Sequence, residues 1–218
     1  FVYFSNIKKF DGKKLRRLNL SEIGQIAGRA GRYLNDGSFG ITGDCKEISP
    51  EEVELLENHK FEEIRTLFWR NSNLNFNNPI SLIKSLEEKP QVEWLRKIHE
   101  CEDEKALKYF LKDQKILNRG FDKKTLMLLW ECCQIPDFVK KTYGNHFEVI
   151  GNVFKFLTSK KGLISEDYMR LQLMKLDKLE GNVDSLSNRI ANVRTWAYVS
   201  NKSNWVENQD YWIERTKN

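Results

Sequence analysis

Residues 25–32 read Gln-Ile-Ala-Gly-Arg-Ala-Gly-Arg. On a helix, Gln25, Arg29 and Arg32 stand at i, i+4 and i+7, which is one face. An amide and two fixed planar cations suit a hydrophobic core poorly. They match phosphate oxygens, which guanidinium forks bind bidentately. The glycines sharpen the reading. Inside a helix, Gly24, Gly28 and Gly31 each cost about 1 kcal/mol relative to Ala. A loss of about 2–3 kcal/mol in one segment asks for a reason, and close approach by another backbone or a bound ligand is the physical one. A tightly packed Gly/Ala helix carrying two surface arginines is the alternative, and spacing alone leaves it open.

Such a face needs a scaffold. Val2–Ser5 reads as a buried strand, Lys8–Asn19 as a basic loop, and Ser21 as an N-cap with Glu22 in the first turn of a helix running to about Tyr33. Asn35-Asp36-Gly37 signals a turn, and Ser38–Thr42 a second short strand. Residues 1–46 are therefore expected to be the tail of an α/β domain, with too few strands for a whole one. From Ser49 the pattern turns helical. Ser49-Pro50-Glu51-Glu52 is a cap, a first-turn proline and first-turn acids. The helix carries Val53 and Leu56, and a second segment holds Ile64, Leu67 and Phe68. Asn71–Asn78 is an Asn-rich loop. Further helices are expected over Pro79–Glu88, Gln91–His99, Glu104–Leu117, Lys123–Cys133, Pro136–Tyr143, Phe147–Ser159, Ser165–Glu180, Asp184–Val199 and Asn204–Thr216. Met169, Leu173, Leu176 and Leu179 form one apolar stripe, and Leu186, Ile190 and Val193 the next, as in packed bundle helices. The fold class is mainly α: a helical region over 47–218, subdivided near 160, behind a short α/β remnant.

The 218 residues carry a net charge of +5 that is unevenly spread. Residues 1–46 hold nine basic and four acidic side chains, 47–104 seven and fourteen, and 105–161 twelve and five. Two basic regions around an acidic one suit a polyanion, although a solvated Lys-rich face accounts equally for any single stretch. No apolar run approaches the length that spans a bilayer, so no membrane partner is expected. Four Cys without a CxxC pair or a secretory leader point to reduced thiols. His59, His99 and His146 are scattered, and Cys132-Cys133 faces two sides of a helix, so no metal site is expected. The chain opens on Phe1-Val2-Tyr3-Phe4 without Met, as a piece of a longer protein would.

Residues 25–32 match, position for position, the last signature motif of superfamily 2 helicases, Q-x-x-G-R-x-G-R. Lys9-Phe10-Asp11-Gly12, Ser21-Glu22-Ile23-Gly24 and Asp36-Gly37-Ser38-Phe39-Gly40 around it resemble the mitochondrial degradosome RNA helicases of the DExH type and their alphaproteobacterial relatives. So do Leu55 with Glu57-Asn58-His59, Trp69-Arg70-Asn71, Leu176-Asp177-Lys178, Leu186-Ser187-Asn188-Arg189-Ile190-Ala191 and Arg194-Thr195-Trp196-Ala197-Tyr198-Val199. The resemblance extends over essentially the whole chain. It implies the carboxy-terminal part of an ATP-dependent helicase, in which residues 1–46 end the second RecA-like domain. By it, ATP and Mg²⁺ would lie between that domain and an upstream one. Gln25 would contact the γ-phosphate or its attacking water, Gly28, Arg29 and Arg32 would face the nucleotide, and Arg32 would be the arginine finger. No G-x-x-x-x-G-K-[ST] loop and no acid box occur in the chain. The only Gly-Lys pair, Gly12-Lys13, has Ile7 in place of the first glycine and Lys14 in place of the hydroxyl. The chain alone is expected to be inactive as an ATPase and to hold no tightly bound nucleotide.

A second polyanion contact is suggested by Lys105, Lys108, Lys112 and Lys115, which rise at spacings of three and four as a ridge able to grip backbone phosphates. Lys123, Lys124, Lys140 and Lys141 add charge nearby. Arg189 and Arg194 belong to the family-like tail, where Trp196 and Tyr198 stack on a strand or fill the helical core. The partners so implied are single-stranded or partly duplex RNA, with DNA an alternative, the missing N-terminal helicase domains and an exoribonuclease. The implied location is bacterial cytoplasm, or else the mitochondrial matrix. The rival reading is a non-catalytic helical adaptor or nucleic-acid-binding module that docks on a helicase or nuclease.

Overall fold

The structure, a computed structural model, describes residues 1–10, 15–31, 35–113, 120–139, 143–178 and 180–217. The fold is mainly α, with nine α-helices and six three-residue strands among the described residues. Two units separate, Phe1–Arg65 and Thr66–Asn218.

In the first unit, β1 (Val2–Phe4) pairs in parallel with β4 (Phe39–Ile41), Tyr3 opposite Gly40. Helix α1 (Leu20–Ala27) lies in the crossover between them, so the unit is built on strand, helix and parallel strand. The crossover also holds a hairpin, β2 (Lys8–Phe10) with β3 (Leu15–Arg17), where a loop is expected from the sequence. Its register sets Lys9 opposite Arg16 and Lys8 opposite Arg17, like charges that oppose strand pairing unless acids neutralise them. Glu22 and Glu52 do so. Ile23 and Ala27 of α1 pack with Phe4, Ile7, Leu18, Cys45 and Leu56. Leu56 comes from α2 (Pro50–Glu57), whose cap forms as its sequence indicates: Ser49 Oγ accepts from the Glu52 amide at 3.3 Å, and the Glu52 carboxylate accepts from the Ser49 amide at 3.1 Å.

The second unit begins with β5 (Leu67–Trp69), parallel to β6 (Leu95–Lys97). These replace two expected helical segments, around Ile64–Phe68 and over Gln91–His99; short aromatic and apolar runs take whichever ladder the tertiary fold offers. Helices follow: α3 (Pro79–Glu87), α4 (Glu102–Phe110), α5 (Lys123–Cys133), α6 (Tyr143–Leu157), α7 (Glu166–Met174), α8 (Val183–Ser200) and α9 (Gln209–Lys217). Leu82, Leu107, Leu126, Leu129, Ile150 and Phe154 centre their core. Of the expected Pro136–Tyr143 helix, residues 136–139 are not helical, and Tyr143 instead begins α6. The Val139 amide bonds to the Asp137 carboxylate at 3.0 Å, a local turn that competes with helix. The last helix starts at Gln209 rather than Asn204, because Asn204 and Asn208 adopt φ of 62° and 52°, left-handed values that interrupt helical backbone.

Arg70 fastens the start of α4. It donates to both Asp103 oxygens, at 2.7 and 3.0 Å, and lies 5.1 Å from the Trp130 ring centre. Glu104 beside it is 1% exposed. Its Oε1 sits 3.4 Å from Arg70 Nη2 without a hydrogen bond, and burial pushes its carboxyl above the ordinary value.

Candidate functional site

Helix α1 is positioned from its N-terminus. Asn19, not Ser21, is the N-cap, and its amide donates to the Glu22 carboxylate at 3.0 Å. That carboxylate also accepts both guanidinium nitrogens of Arg16, at 2.8 and 2.9 Å, and pairs with Lys9. The Arg16 guanidinium, then the Lys9 ammonium, hold the Glu22 carboxyl far below the ordinary range. One acid therefore caps the helix and joins it to both strands of the hairpin. Arg17 makes the matching link to α2, donating to the two Glu52 oxygens at 2.5 and 2.8 Å and holding that carboxyl down at about 2. Lys9, Arg16 and Arg17, read from sequence as a basic loop, thus have carboxylate partners inside the unit.

The α-helix ends at Ala27, not near Tyr33. Gly28–Ala30 continues as one 3₁₀ turn, and Gly31 is extended at φ −95°, ψ 148°. Arg32 and Tyr33 lie outside the described residues. The single Gln25–Arg29–Arg32 face on one continuous helix is therefore corrected: Gln25 projects from the helix and Arg29 from the turn after it. Both are exposed, as is Gly28, while Ile23 and Ala27 on the other side are buried. Among the described residues neither Gln25 nor Arg29 has a hydrogen-bond or ion-pair partner. An amide, a guanidinium and a bare backbone thus stand together on the outside of a turn whose inner side is anchored.

The three glycines have three different environments. A Cβ on Gly24 would meet the Phe61 ring at 2.7 Å, so this glycine is a packing requirement. A Cβ on Gly31 would meet the Asn35 carbonyl oxygen at 2.7 Å, so this one lets the chain close on itself. Nothing among the described residues lies within 4 Å of a Cβ on Gly28. Only Gly24 sits within the helix proper, so the propensity loss inferred from an uninterrupted helix is smaller than the sequence suggests.

The other named residues do not join this group. Helix α4 ends at Phe110, so it carries Lys105 and Lys108 but not Lys112; Lys115, Lys140 and Lys141 lie outside the described residues. Lys108 bonds to Glu100 at 2.7 Å and to Glu87 at 3.3 Å. Arg189 donates to the carbonyls of Lys178 and, at 2.6 Å, Glu180. Arg194 lies 4.1 Å from the Phe138 ring centre. Trp196 is buried, edge-on to Tyr168. Cys132 and Cys133 are buried, and desolvation raises both thiols. No group of three or more His, Cys, Asp or Glu side chains able to hold a metal is found among the described residues. No described helix is long and apolar enough to cross a membrane. The tie that Glu22 makes was not read from the sequence, although Asn19 with an acid three residues later is a capping-box signal.

A quarter of the chain is related in sequence to RNA helicases. It is 44% identical over 55 residues to the DExH-box ATP-dependent RNA helicase DExH16, mitochondrial, of Arabidopsis thaliana. It is 41% identical over 54 residues to DExH-box ATP-dependent RNA helicase DExH11 of the same plant. To the ATP-dependent RNA helicase SUV3, mitochondrial, of Oryza sativa subsp. japonica it is 44% identical over 55 residues. The matched stretch is 25% of this chain and 9%, 4% and 9% of those proteins. The chain thus matches less than a tenth of the length of each. No family model matches the chain, and no solved structure does.

Proposed function

We propose that the chain is the carboxy-terminal part of an ATP-dependent RNA helicase, and that the outer edge of α1 and its 3₁₀ turn faces the nucleotide phosphates. The observation that carries this reading is the exposure of Gln25, Gly28 and Arg29 together, without a partner among the described residues, in a unit where Lys9, Arg16 and Arg17 are paired with acids. That edge fits one side of a triphosphate: Arg29 offers a planar fork, Gln25 an amide, and Gly28 space for an oxygen to approach. It does not fit as a complete site, because the sequence has neither the phosphate-cradling loop nor the acids that hold Mg²⁺. Those would come from an upstream domain, and residues 1–46 would end the second RecA-like domain.

In this reading ATP supplies the free energy that drives strand separation. Gln25 orients the attacking water or the terminal phosphate. Arg29 neutralises phosphate charge, and Arg32 is the finger, an assignment that rests on the family resemblance. A finger of this kind is worth about 10³–10⁵ in turnover, because it meets charge that develops in the transition state. It also makes hydrolysis depend on closure of the cleft. RNA is the substrate implied by the relatives, and cations of the helical unit outside the tail, including Lys105 and Lys112, would contact its backbone. The test is unwinding of a tailed RNA duplex by the complete protein and by this chain. Unwinding by the complete protein, lost in Arg29→Ala and absent from the chain alone, is expected. ATP-driven unwinding by the chain alone would overturn the reading.

A further inference from the structure

Helix α8 carries an apolar stripe, Leu186, Ile190 and Val193, that the described residues leave half-buried or, at Ile190, exposed. Its buried residues, Thr195, Trp196, Val199 and Ser200, all fall in its last turns. The half before them is held by its ends instead. Asn182 caps it, accepting the Ser185 amide at 2.9 Å, and Arg189 ties it to the carbonyls of the preceding loop. Leu186, Ile190 and Val193, which the sequence assigns to a packed bundle face, instead floor a groove of about 450 Å³; Ile190 is 63% exposed. Leu173 and Leu176 complete the floor. The size falls in the range of ligand sites, roughly 300–1,000 Å³.

The rim is basic. Lys178, Arg194 and Lys217 line it together with Arg189 and Arg215, against one carboxylate, Asp177, which pairs with Arg215. No aromatic side chain among the described residues lines the groove. Single-stranded nucleic acid is gripped by cations together with aromatic platforms on which bases stack, and only the cations are present here. An aliphatic floor at i, i+4 and i+7 under a cationic rim is complementary instead to an amphipathic helix with apolar anchors at the same spacing and acids on its flanks.

We propose that this groove is a docking site for a short acidic amphipathic helix of a partner protein. The inference is independent of the nucleotide-facing reading of α1. Leu186, Ile190 and Val193 span two turns, about 10 Å, which seats two to three anchors of the partner. The basic rim speeds encounter and selects against basic segments, and it makes binding sensitive to salt.

The experiment is fluorescence anisotropy of the 218-residue chain with a labelled synthetic peptide of about 16 residues, long enough for helix to form. Its Leu residues repeat at i, i+3, i+4 and i+7 in a Glu/Ala background. Its scrambled sequence, a Lys-for-Glu version and single-stranded oligouridylate are the comparison probes. The acidic peptide should bind at least about tenfold more tightly than its scrambled and basic versions, about 1.4 kcal/mol. Ile190→Asp should weaken it about tenfold or more, as loss of a central anchor does. Because Ile190 is exposed, the thermal midpoint should stay unchanged; if that variant does not fold, the double variant Lys178→Glu/Lys217→Glu, expected to abolish the preference for the acidic peptide over the basic one, decides. Equal binding of the scrambled peptide would overturn the proposal. So would oligouridylate affinity that falls in the charge-reversed variant while peptide affinity does not, which would give the groove to nucleic acid. Concentration-dependent dimers abolished by Ile190→Asp, with no peptide bound, would give it to a second copy and overturn the proposal as well.

Discussion

Glu22→Gln is the substitution with the largest expected effect on how α1 is held. The carboxylate accepts the bidentate Arg16 pair and the Asn19 amide and pairs with Lys9. An amide in its place keeps one acceptor oxygen, turns an N–H₂ towards a cation, and leaves Lys9 and Arg16 facing each other across the hairpin unneutralised. Hydrogen bonds to a charged group contribute about 1.5–3 kcal/mol. The partly exposed Lys9 and Arg16 are screened by solvent, so the expected loss is about 1–2 kcal/mol. For a unit of 65 residues this lowers the melting midpoint by roughly 4–8 °C per kcal/mol. The loss has a pH signature. The folded carboxyl lies below its ordinary value of 4.5, so its stabilisation is complete above that pH and declines as pH falls towards the folded value. The gap between wild type and Glu22→Gln should be constant from pH 7 down to about 4.5 and narrow below it. Urea unfolding across that range, with hydrogen exchange read on Leu20–Ala27, measures it. A gap that widens in acid, or exchange in α1 that is unchanged at neutral pH, would refute the reasoning.

Other substitutions separate packing from function. Gly24→Ala should cost about 1–3 kcal/mol from overpacking against Phe61, offset by about 1 kcal/mol of helix propensity, as chemical denaturation would show. Gly28→Ala meets open space in right-handed helical backbone, so it should leave stability unchanged or raise it by up to about 1 kcal/mol. It should nevertheless slow ATP hydrolysis by the complete protein, if an oxygen approaches there. Glu104→Gln relieves a buried carboxylate without a full partner. Because the folded carboxyl is raised, its contribution is present below the ordinary value and lost as pH rises, so the variant should gain most at neutral pH, by about 1 kcal/mol. A loss of about 3–5 kcal/mol would show instead that the Arg70 pair is essential. Lys112→Glu should weaken RNA binding and flatten its salt dependence by about one charge; an unchanged slope in a filter-binding titration would remove Lys112 from the RNA path.

What the sequence disclosed follows from what periodicity can carry. The cap at Ser49 before α2 and the bounds of the run Lys123–Cys133 were legible to within a residue. So was the strand around Phe39–Ile41, because a turn signal preceded it. The end of α1 was not legible. Gly28 and Gly31 permit helix and non-helix alike, and only the closure of Gly31 on Asn35 decides between them. The ladder of Leu67–Trp69 with Leu95–Lys97 depends on a partner 28 residues away in register, which no local window contains. The exposure of Gln25 and Arg29 agrees with their polar types and spacing, and their contact with phosphate is the proposal. The tie that holds their helix, from Glu22 to Lys9 and Arg16, required the hairpin to be known. Leu186, Ile190 and Val193 mark the limit most clearly, since an apolar stripe announces that something should cover it but not whether this chain does.

The central claim is that the outer edge of α1 meets phosphate. Single-turnover hydrolysis of ATP by the complete protein at saturating RNA measures it most directly, with RNA affinity followed in parallel. Arg29→Ala and Arg32→Ala are each predicted to slow the chemical step, by about 10³ or more for the finger, while RNA affinity and the melting midpoint hold. Hydrolysis within about twofold of wild type in both variants would contradict the account.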